Sequence, residues 1–277
     1  MPELKSVAQA IAHARFLGID RLDAQLLLAH HLGRPRAWLL AHDEAAIGDA
    51  STFLVLLMRR AAGEPLAYLV GEREFHGLQL RVTPDVLIPR PDTETLVDWA
   101  LELLADIESP RVLDLGTGSG AIALAIKRAC PRARVDASDA SPAALAVARE
   151  NGERLALPVG WHLGDWWQAI DPALSFDLVV ANPPYVAPGD PHLASLRHEP
   201  QAALVAQHQG LAALETIAIG AGNHLGSGAW LLLEHGFDQA AAVGRSLREA
   251  GFESVATRCD LAGHERVSGG RRATSSR

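Results

Sequence analysis

Apolar residues recur at helical spacing through the first part of the chain. Val7, Ile11, Ala14 and Phe16-Leu17 form one series, and Leu22, Leu26, Leu27 and His30 form another after the break at Gly18-Ile19-Asp20. Phe53, Leu54, Leu57 and Met58 predict a further helix, which Gly63 and Pro65 end. A small helical bundle is the simplest architecture for residues 1–63. The period then changes. Glu72–Phe75 and Leu78–Val82 flank His76-Gly77 and predict a β-hairpin inside a linker of residues 64–91. Two prolines stiffen Ile88-Pro89-Arg90-Pro91 ahead of a helix that Asp92 or Thr93 can cap. Its apolar face uses Leu96, Val97, Ala100, Leu101 and Leu104.

Beyond Pro110, strand and helix patterns alternate. Val112–Leu115, Ala133–Ala137, Val159–Leu163, Phe176–Ala181 and Ala229–Glu234 are predicted strands. Helical runs lie over Ile122–Ile126, after Ser141-Pro142, and over 211–221 and 238–250, and a last strand pair falls near 252–268. Such alternation predicts an α/β fold over 92–277, a doubly wound, Rossmann-like parallel sheet with helices on both faces. Arg271 to Arg277 reads as a frayed tail.

Composition narrows the function classes. The 277 residues carry 25 Lys+Arg against 33 Asp+Glu, and 48% are hydrophobic, which excludes a mainly disordered chain. A net charge of −8 argues against a protein built to wrap bare nucleic acid, because phosphate neutralisation needs surplus cations. The deficit is uneven. Residues 1–62 hold seven basic and six acidic side chains, so the remaining 215 residues carry the whole acid surplus, a net −9. Cys130 and Cys259 stand far apart with no CxxC, and no HExxH occurs, so neither a disulfide framework nor a metal site is expected. The opening residues lack the apolar stretch of a secretory signal, and no run reaches the ~18 apolar residues of a membrane span. A cytoplasmic monomer is the expectation.

The glycine loop Asp114-Leu115-Gly116-Thr117-Gly118-Ser119-Gly120 follows a strand and opens a helix. Its GxGxG spacing differs from the GxGxxG of dinucleotide binders, so it offers a close-packed ledge for a ligand that needs no pyrophosphate site. Alone it is also compatible with a simple tight turn. Asp139 ends the second strand, where doubly wound sheets place a carboxylate on ribose hydroxyls. It could instead cap the helix at Ser141-Pro142. Together the two features favour an adenosine-type ligand. Trp166 follows the next strand and could cover an adenine or join the core, and the adjacent Trp167 leaves the choice between the rings open.

Asn182-Pro183-Pro184-Tyr185 is the most specific feature. It ends the buried strand Phe176–Ala181, at the edge where such sheets bind ligands. Its alternative is a rigid turn. Functionally, the prolines would preset the Asn182 side chain and the Pro183 carbonyl as acceptors for a planar N–H₂ group, with Tyr185 packed on the substrate plane. A conjugated nitrogen is a poor nucleophile. Gripping its hydrogens would position it and enrich it in electron density for an electrophilic methyl, such as that of S-adenosylmethionine.

On these motifs the chain resembles the bacterial peptide chain release factor N5-glutamine methyltransferases over nearly its whole length. The likeness runs through Pro65-Leu66-Ala67-Tyr68, Gly71, Phe75 and Leu87-Ile88-Pro89-Arg90-Pro91-Asp92-Thr93-Glu94, then Asp114 to Gly120 and Asn182 to Tyr185. It continues through Glu199-Pro200, Glu234-His235-Gly236 and Asp260 to Arg266. The Ile-Pro-Arg-Pro-Asp-Thr-Glu stretch beside a helical N-terminal domain is the narrow signature. The resemblance implies a class I methyltransferase sheet over 92–277. It also implies S-adenosylmethionine as cofactor, S-adenosylhomocysteine as product and no metal. Gly116, Thr117, Gly118, Ser119, Gly120, Asp139, Trp166 and Asn182 would hold the cofactor. Asn182, Pro183, Pro184 and Tyr185 would hold the glutamine of the Gly-Gly-Gln loop of class 1 release factors, with Asn182, Pro183 and Tyr185 carrying the catalysis and residues 1–63 docking the partner. His76 and Leu80 stand where the family more often has aromatics, and the basic tail lies outside the pattern.

Two rival readings stay open at this point. One is an N-methyltransferase acting on an exocyclic amine of DNA or RNA, which presents the same group to the same tetrad. The other is a non-catalytic cofactor-binding protein, against which the intact tetrad argues.

Overall fold

The computed structural model describes residues 4–274. They form two compact units that meet at Glu72–Arg73. The stretch 64–91 is therefore not a body of its own, since its first part belongs to the helical unit and its hairpin to the sheet unit.

The first unit has five helices: α1 (Val7–Phe16), α2 (Arg21–Leu32), α3 (Arg36–Ala41), α4 (Ser51–Ala61) and α5 (Leu66–Val70). Ser6 and Asp20 cap α1 and α2 through Gln9 N and Leu22 N. The core joins Val7, Ala10, Ala14, Ala24, Leu27, Leu28, Phe53, Leu54 and Leu57. Several residues expected on apolar faces lie outside it. Phe16, Leu22, His30 and Met58 are exposed, and in α2 the buried stripe runs through Ala24, Leu27 and Leu28, one helical step round from Leu22 and His30. Pro65 does more than end a helix. It is the N-cap residue of α5, a position that needs no backbone N–H.

The second unit opens with the hairpin of β1 (Glu72–Phe75) and β2 (Leu78–Arg81). His76 and Gly77 both take positive φ, +46° and +75°, which is the two-residue turn whose twist matches the strands. Leu80 is fully buried, and His76 bonds Glu94 and Asp98, so the hairpin packs without the aromatics at those positions. The remaining elements are α6 (Glu94–Leu104), β3 (Arg111–Leu115), α7 (Ala121–Ala129), β4 (Arg134–Asp139), α8 (Pro142–Arg154), β5 (Gly160–Leu163) and β6 (Phe176–Ala181). They are followed by α9 (Ala212–Gly220), β7 (Leu225–Glu234), α10 (Ala240–Glu249), β8 (Phe252–Cys259) and β9 (Glu265–Arg272).

The seven strands run in the order β5-β4-β3-β6-β7-β9-β8. Alternation along each strand divides its side chains between two cores. Val112, Val135, Leu178, Val180 and Leu232 pack with α6 and α7, while Leu113, Leu115, Val179, Leu231 and Leu233 pack with α9 and α10. The expectation of a wholly parallel sheet is corrected at one edge: β9 lies antiparallel between β7 and β8. The frayed tail is corrected in part, because Arg271 and Arg272 complete β9 and pair with Trp230 and Phe252. Ser275 to Arg277 fall outside the described residues. No helix among the described residues is long and apolar enough to cross a membrane.

Candidate active site

The chain leaves β3 toward β4 on one side and returns to β6 on the other, so a crevice opens at the carboxyl ends of β3 and β6. Register pairs Leu115 with both Ser138 and Ala181. The residues that follow all three strands therefore converge there.

Gly116, Gly118 and Gly120 all have positive φ, which folds the loop back sharply between β3 and α7. Gly116 N and Thr117 N both donate to Ser138 O at 2.9 Å, and Gly118 N donates to Asp139 Oδ2 at 2.9 Å. Asp114 braces the turn from below. Its Oδ2 accepts from Thr117 Oγ1 at 2.6 Å and from Ala123 N at 3.2 Å, while the buried Oδ1 makes no hydrogen bond. Burial pushes this carboxyl up to about 7 against the pull of those two bonds. From α8 the fully buried Asn151 ties the loop to the hairpin, donating to Ser119 O at 2.9 Å and accepting from Arg81 N at 2.7 Å. No sequence pattern singled Asn151 out, because its two partners lie 32 and 70 positions away.

Asp139 is no helix cap. Ser141 is the N-cap of α8, and Asp139 Oδ1 accepts from Ser141 N at 2.8 Å. Partial burial raises its carboxyl against the backbone donors that favour the charged form. The two tryptophans divide clearly. Trp166 has φ +41°, costly for a bulky residue by about 1–3 kcal/mol, and its ring lies so close to Gly116 that a Cβ there would sit 3.2 Å from it. Both pack against the α9-side core, but Trp167 does not line the cleft and instead donates to Ile217 O at 3.2 Å and stacks on His224 at 4.9 Å.

These groups surround a cleft of about 320 Å³, a size that suits a small-molecule ligand. Gly116, Thr117, Gly118, Ser119, Asp139, Trp166, Asn182 and Pro184 are on its wall, whereas Gly120, Pro183 and Tyr185 are not. Gly120 is the N-cap residue of α7, packed on Leu124, Trp161 and Ala148. Pro183 is buried behind Asn182. Tyr185 packs on the β7-side core, its carbonyl accepts from Gln239 Nε2 at 3.1 Å, and burial raises its hydroxyl. The cleft suits an adenosine-type ligand: a carboxylate with acceptor capacity stands at the second strand, and an aromatic ring covers the glycine ledge. Among the described residues no cluster of His, Cys, Asp and Glu is arranged to hold a metal.

Family models match both units of the chain. A PrmC N-terminal domain model matches residues 4–71, and a methyltransferase small domain model matches 93–214. The release factor glutamine methyltransferase of Bordetella pertussis is 53% identical over 91% of this chain and 95% of its own. That of Burkholderia pseudomallei is 51% identical over 96% of this chain and 97% of its own. The chain belongs to the release factor glutamine methyltransferase family. The T. thermophilus 16S rRNA N2 G1207 methyltransferase, in complex with AdoMet and guanosine, shares the fold. It has a TM-score of 0.56 at 20% identity, over 73% of this chain and 49% of that one.

In this member of the family, the segment before α6 does more than lead into a helix. Thr93, expected as a possible cap, makes no capping bond and instead accepts from Asn182 Nδ2 at 3.2 Å. Asp92 pairs with Arg266 at 3.2 Å, and Arg266 also meets Asp260 at 3.2 Å. The buried Glu199 accepts from Ile88 N at 3.1 Å and from the Arg90 guanidinium, tying the segment after the tetrad to the one before α6. Glu234 ends β7 beside Asn182, fully buried and pushed up to about 7 by that burial. Glu199, Glu234, Asp260 and Arg266 were visible in the sequence only as motif residues without roles, and Asp92 and Thr93 had a role only as possible helix caps. The usable signal was an acid closing an otherwise apolar strand, Leu231-Leu232-Leu233-Glu234.

Proposed function

We propose that the protein transfers a methyl group from S-adenosylmethionine to the side-chain amide nitrogen of the glutamine in the Gly-Gly-Gln loop of class 1 peptide chain release factors. It acts in the cytoplasm as a monomer, with the helical unit docking the partner. The observation that carries the reading is Asn182 standing on the wall of the same cleft as the glycine ledge, Asp139 and Trp166.

Gly116 to Ser119 would seat the cofactor along the ledge, with Asp139 accepting from its ribose hydroxyls and Trp166 covering its flat base. Gly120 would serve by turning the chain into α7. When bound, S-adenosylmethionine supplies a methyl made electrophilic by its sulfonium. Asn182 Oδ1 and the Pro183 carbonyl would accept the two N–H bonds of the substrate amide, holding its nitrogen in line and drawing electron density onto it. Pro184 would line the substrate's path. Tyr185 would contact the substrate plane or, from its packed position, hold the tetrad's backbone in place. No strong base is required for the attack, because positioning and preset acceptors supply the effect. The N–C bond would form as the cofactor's C–S bond breaks to leave S-adenosylhomocysteine, and the nitrogen's surplus proton would pass to water.

Replacing Asn182 separates binding from chemistry. Asn182→Ala is expected to keep cofactor affinity within several-fold by titration calorimetry while losing most turnover on release factor. Turnover at the wild-type rate would remove the acceptor role.

A further inference from the structure

We propose that Thr93 and Glu234 are positioning residues that fix which end of the Asn182 amide faces the cleft. The inference rests on the acceptor role given to Asn182 above. The two ends of an asparagine amide have nearly the same shape and opposite hydrogen-bonding character. With Oδ1 toward the cleft, Asn182 accepts from a substrate N–H. Flipped, it presents a donor to a donor, and the grip is lost.

The surroundings choose between these states. Asn182 Nδ2 donates to Thr93 Oγ1 at 3.2 Å, leaving Oδ1 on the other side. Parallel pairing of Ala181 with Leu233 makes Asn182 and Glu234 next neighbours at the carboxyl ends of β6 and β7. The Glu234 carboxyl stands close to Thr93 and Asn182 and is 1% exposed, so water does not compete for its buried Oε2. That oxygen has no hydrogen-bond partner among the described residues and is open to a donor. A hydroxyl has a single proton to give, and an ionised carboxylate only accepts. Glu234 is therefore the acceptor open to the Thr93 O–H, which leaves the Thr93 lone pairs for Asn182 Nδ2. The relay runs from Asn182 N–H to Thr93 oxygen, and from Thr93 O–H to Glu234.

The direction of this relay depends on the charge of Glu234. Arg266 on β9 favours the ionised form, Asp92 before α6 opposes it, and the half-buried Tyr185 also acts on the same carboxyl. A protonated Glu234 becomes a donor itself. The Thr93 hydroxyl can then turn its proton toward Asn182, and the amide flips.

Four variants test the assignment in the full-length protein, using release factor, S-adenosylmethionine and a scan of kcat against pH. Thr93→Val keeps the shape and removes the acceptor. It is expected to lower kcat by roughly tenfold or more, with cofactor Kd within about twofold, whereas Thr93→Ser restores kcat to within about threefold. Wild-type kcat is expected to fall as pH drops through about 7, and Glu234→Gln, which keeps an acceptor but cannot titrate, flattens that limb. A wild-type kcat in Thr93→Val beside an inactive Asn182→Ala overturns this proposal and leaves the functional reading standing. Wild-type turnover in Asn182→Ala overturns both. An acid limb unchanged in Glu234→Gln overturns the assignment of Glu234. A purely structural role for Thr93 would shift the thermal midpoint without the kcat-specific loss and its rescue by serine.

Discussion

Asp139 accepts one backbone N–H on each carboxylate oxygen, Gly118 on Oδ2 and Ser141 on Oδ1, and each oxygen keeps room for a further donor. Removing the side chain takes away both the ribose contact and the tie to the glycine loop. Asp139→Ala is expected to weaken cofactor binding by about 1–3 kcal/mol, the scale of a lost charge-assisted hydrogen bond, and titration calorimetry reads it directly. Unchanged affinity would return Asp139 to a purely structural role. Asp114 gives a different test. Burial pushes its carboxyl from the usual carboxylate range up to about 7, so the folded chain holds the proton more tightly. The stability this contributes is complete below about pH 4 and is lost as pH rises through about 7. Asp114→Asn keeps an acceptor for Thr117 and Ala123 and cannot titrate. Its thermal midpoint is expected to fall less steeply between those limits than that of the wild type, and an identical slope would contradict the assignment. Among single residues, the place of Asp139 on the cleft wall was legible because strand ends in doubly wound sheets have a known geometry. The choice between Trp166 and Trp167 was not, because it is made by one backbone angle, the φ of +41° that turns the first ring toward Gly116.

At the scale of elements, the strap between Glu199 and the Ile88–Arg90 segment carries the most testable claim. Glu199 is almost wholly buried and Arg90 is about one third exposed, so loss of the acid leaves a partly hydrated cation and an unpaired Ile88 N–H. Glu199→Ala is expected to destabilise the fold by about 1–3 kcal/mol in urea titration, less than for a fully buried pair because solvent reaches the arginine. A change below about half a kcal/mol would contradict it. Most elements were legible from period alone: α6 buries Leu96, Val97, Ala100 and Leu104 as its spacing predicts. The hairpin turn at His76-Gly77 also followed from residue type. Long-range choices were not legible. Periodicity marks 252–268 as strand but carries no sign of direction, so the antiparallel insertion of β9 had no local signature. Thr93 shows the same limit, since its capping chemistry is local while its actual partner is 89 positions away.

For the whole molecule, the division at Glu72–Arg73 separates a nearly neutral helical unit from a sheet unit that holds the acid surplus. A net acid surplus is a poor match for a run of phosphates, and it suits a protein substrate presented to one cleft. The central claim is the identity of the methylated atom, and peptide mapping after methyl transfer tests it most directly. Purified protein is incubated with methyl-labelled S-adenosylmethionine, a class 1 release factor and, in a parallel sample, RNA and DNA. The predicted result is a single labelled methyl on the glutamine side-chain nitrogen of the Gly-Gly-Gln peptide, absent when Asn182→Ala replaces the wild type. Label found only in nucleic acid, or on any other release factor residue, would contradict the account.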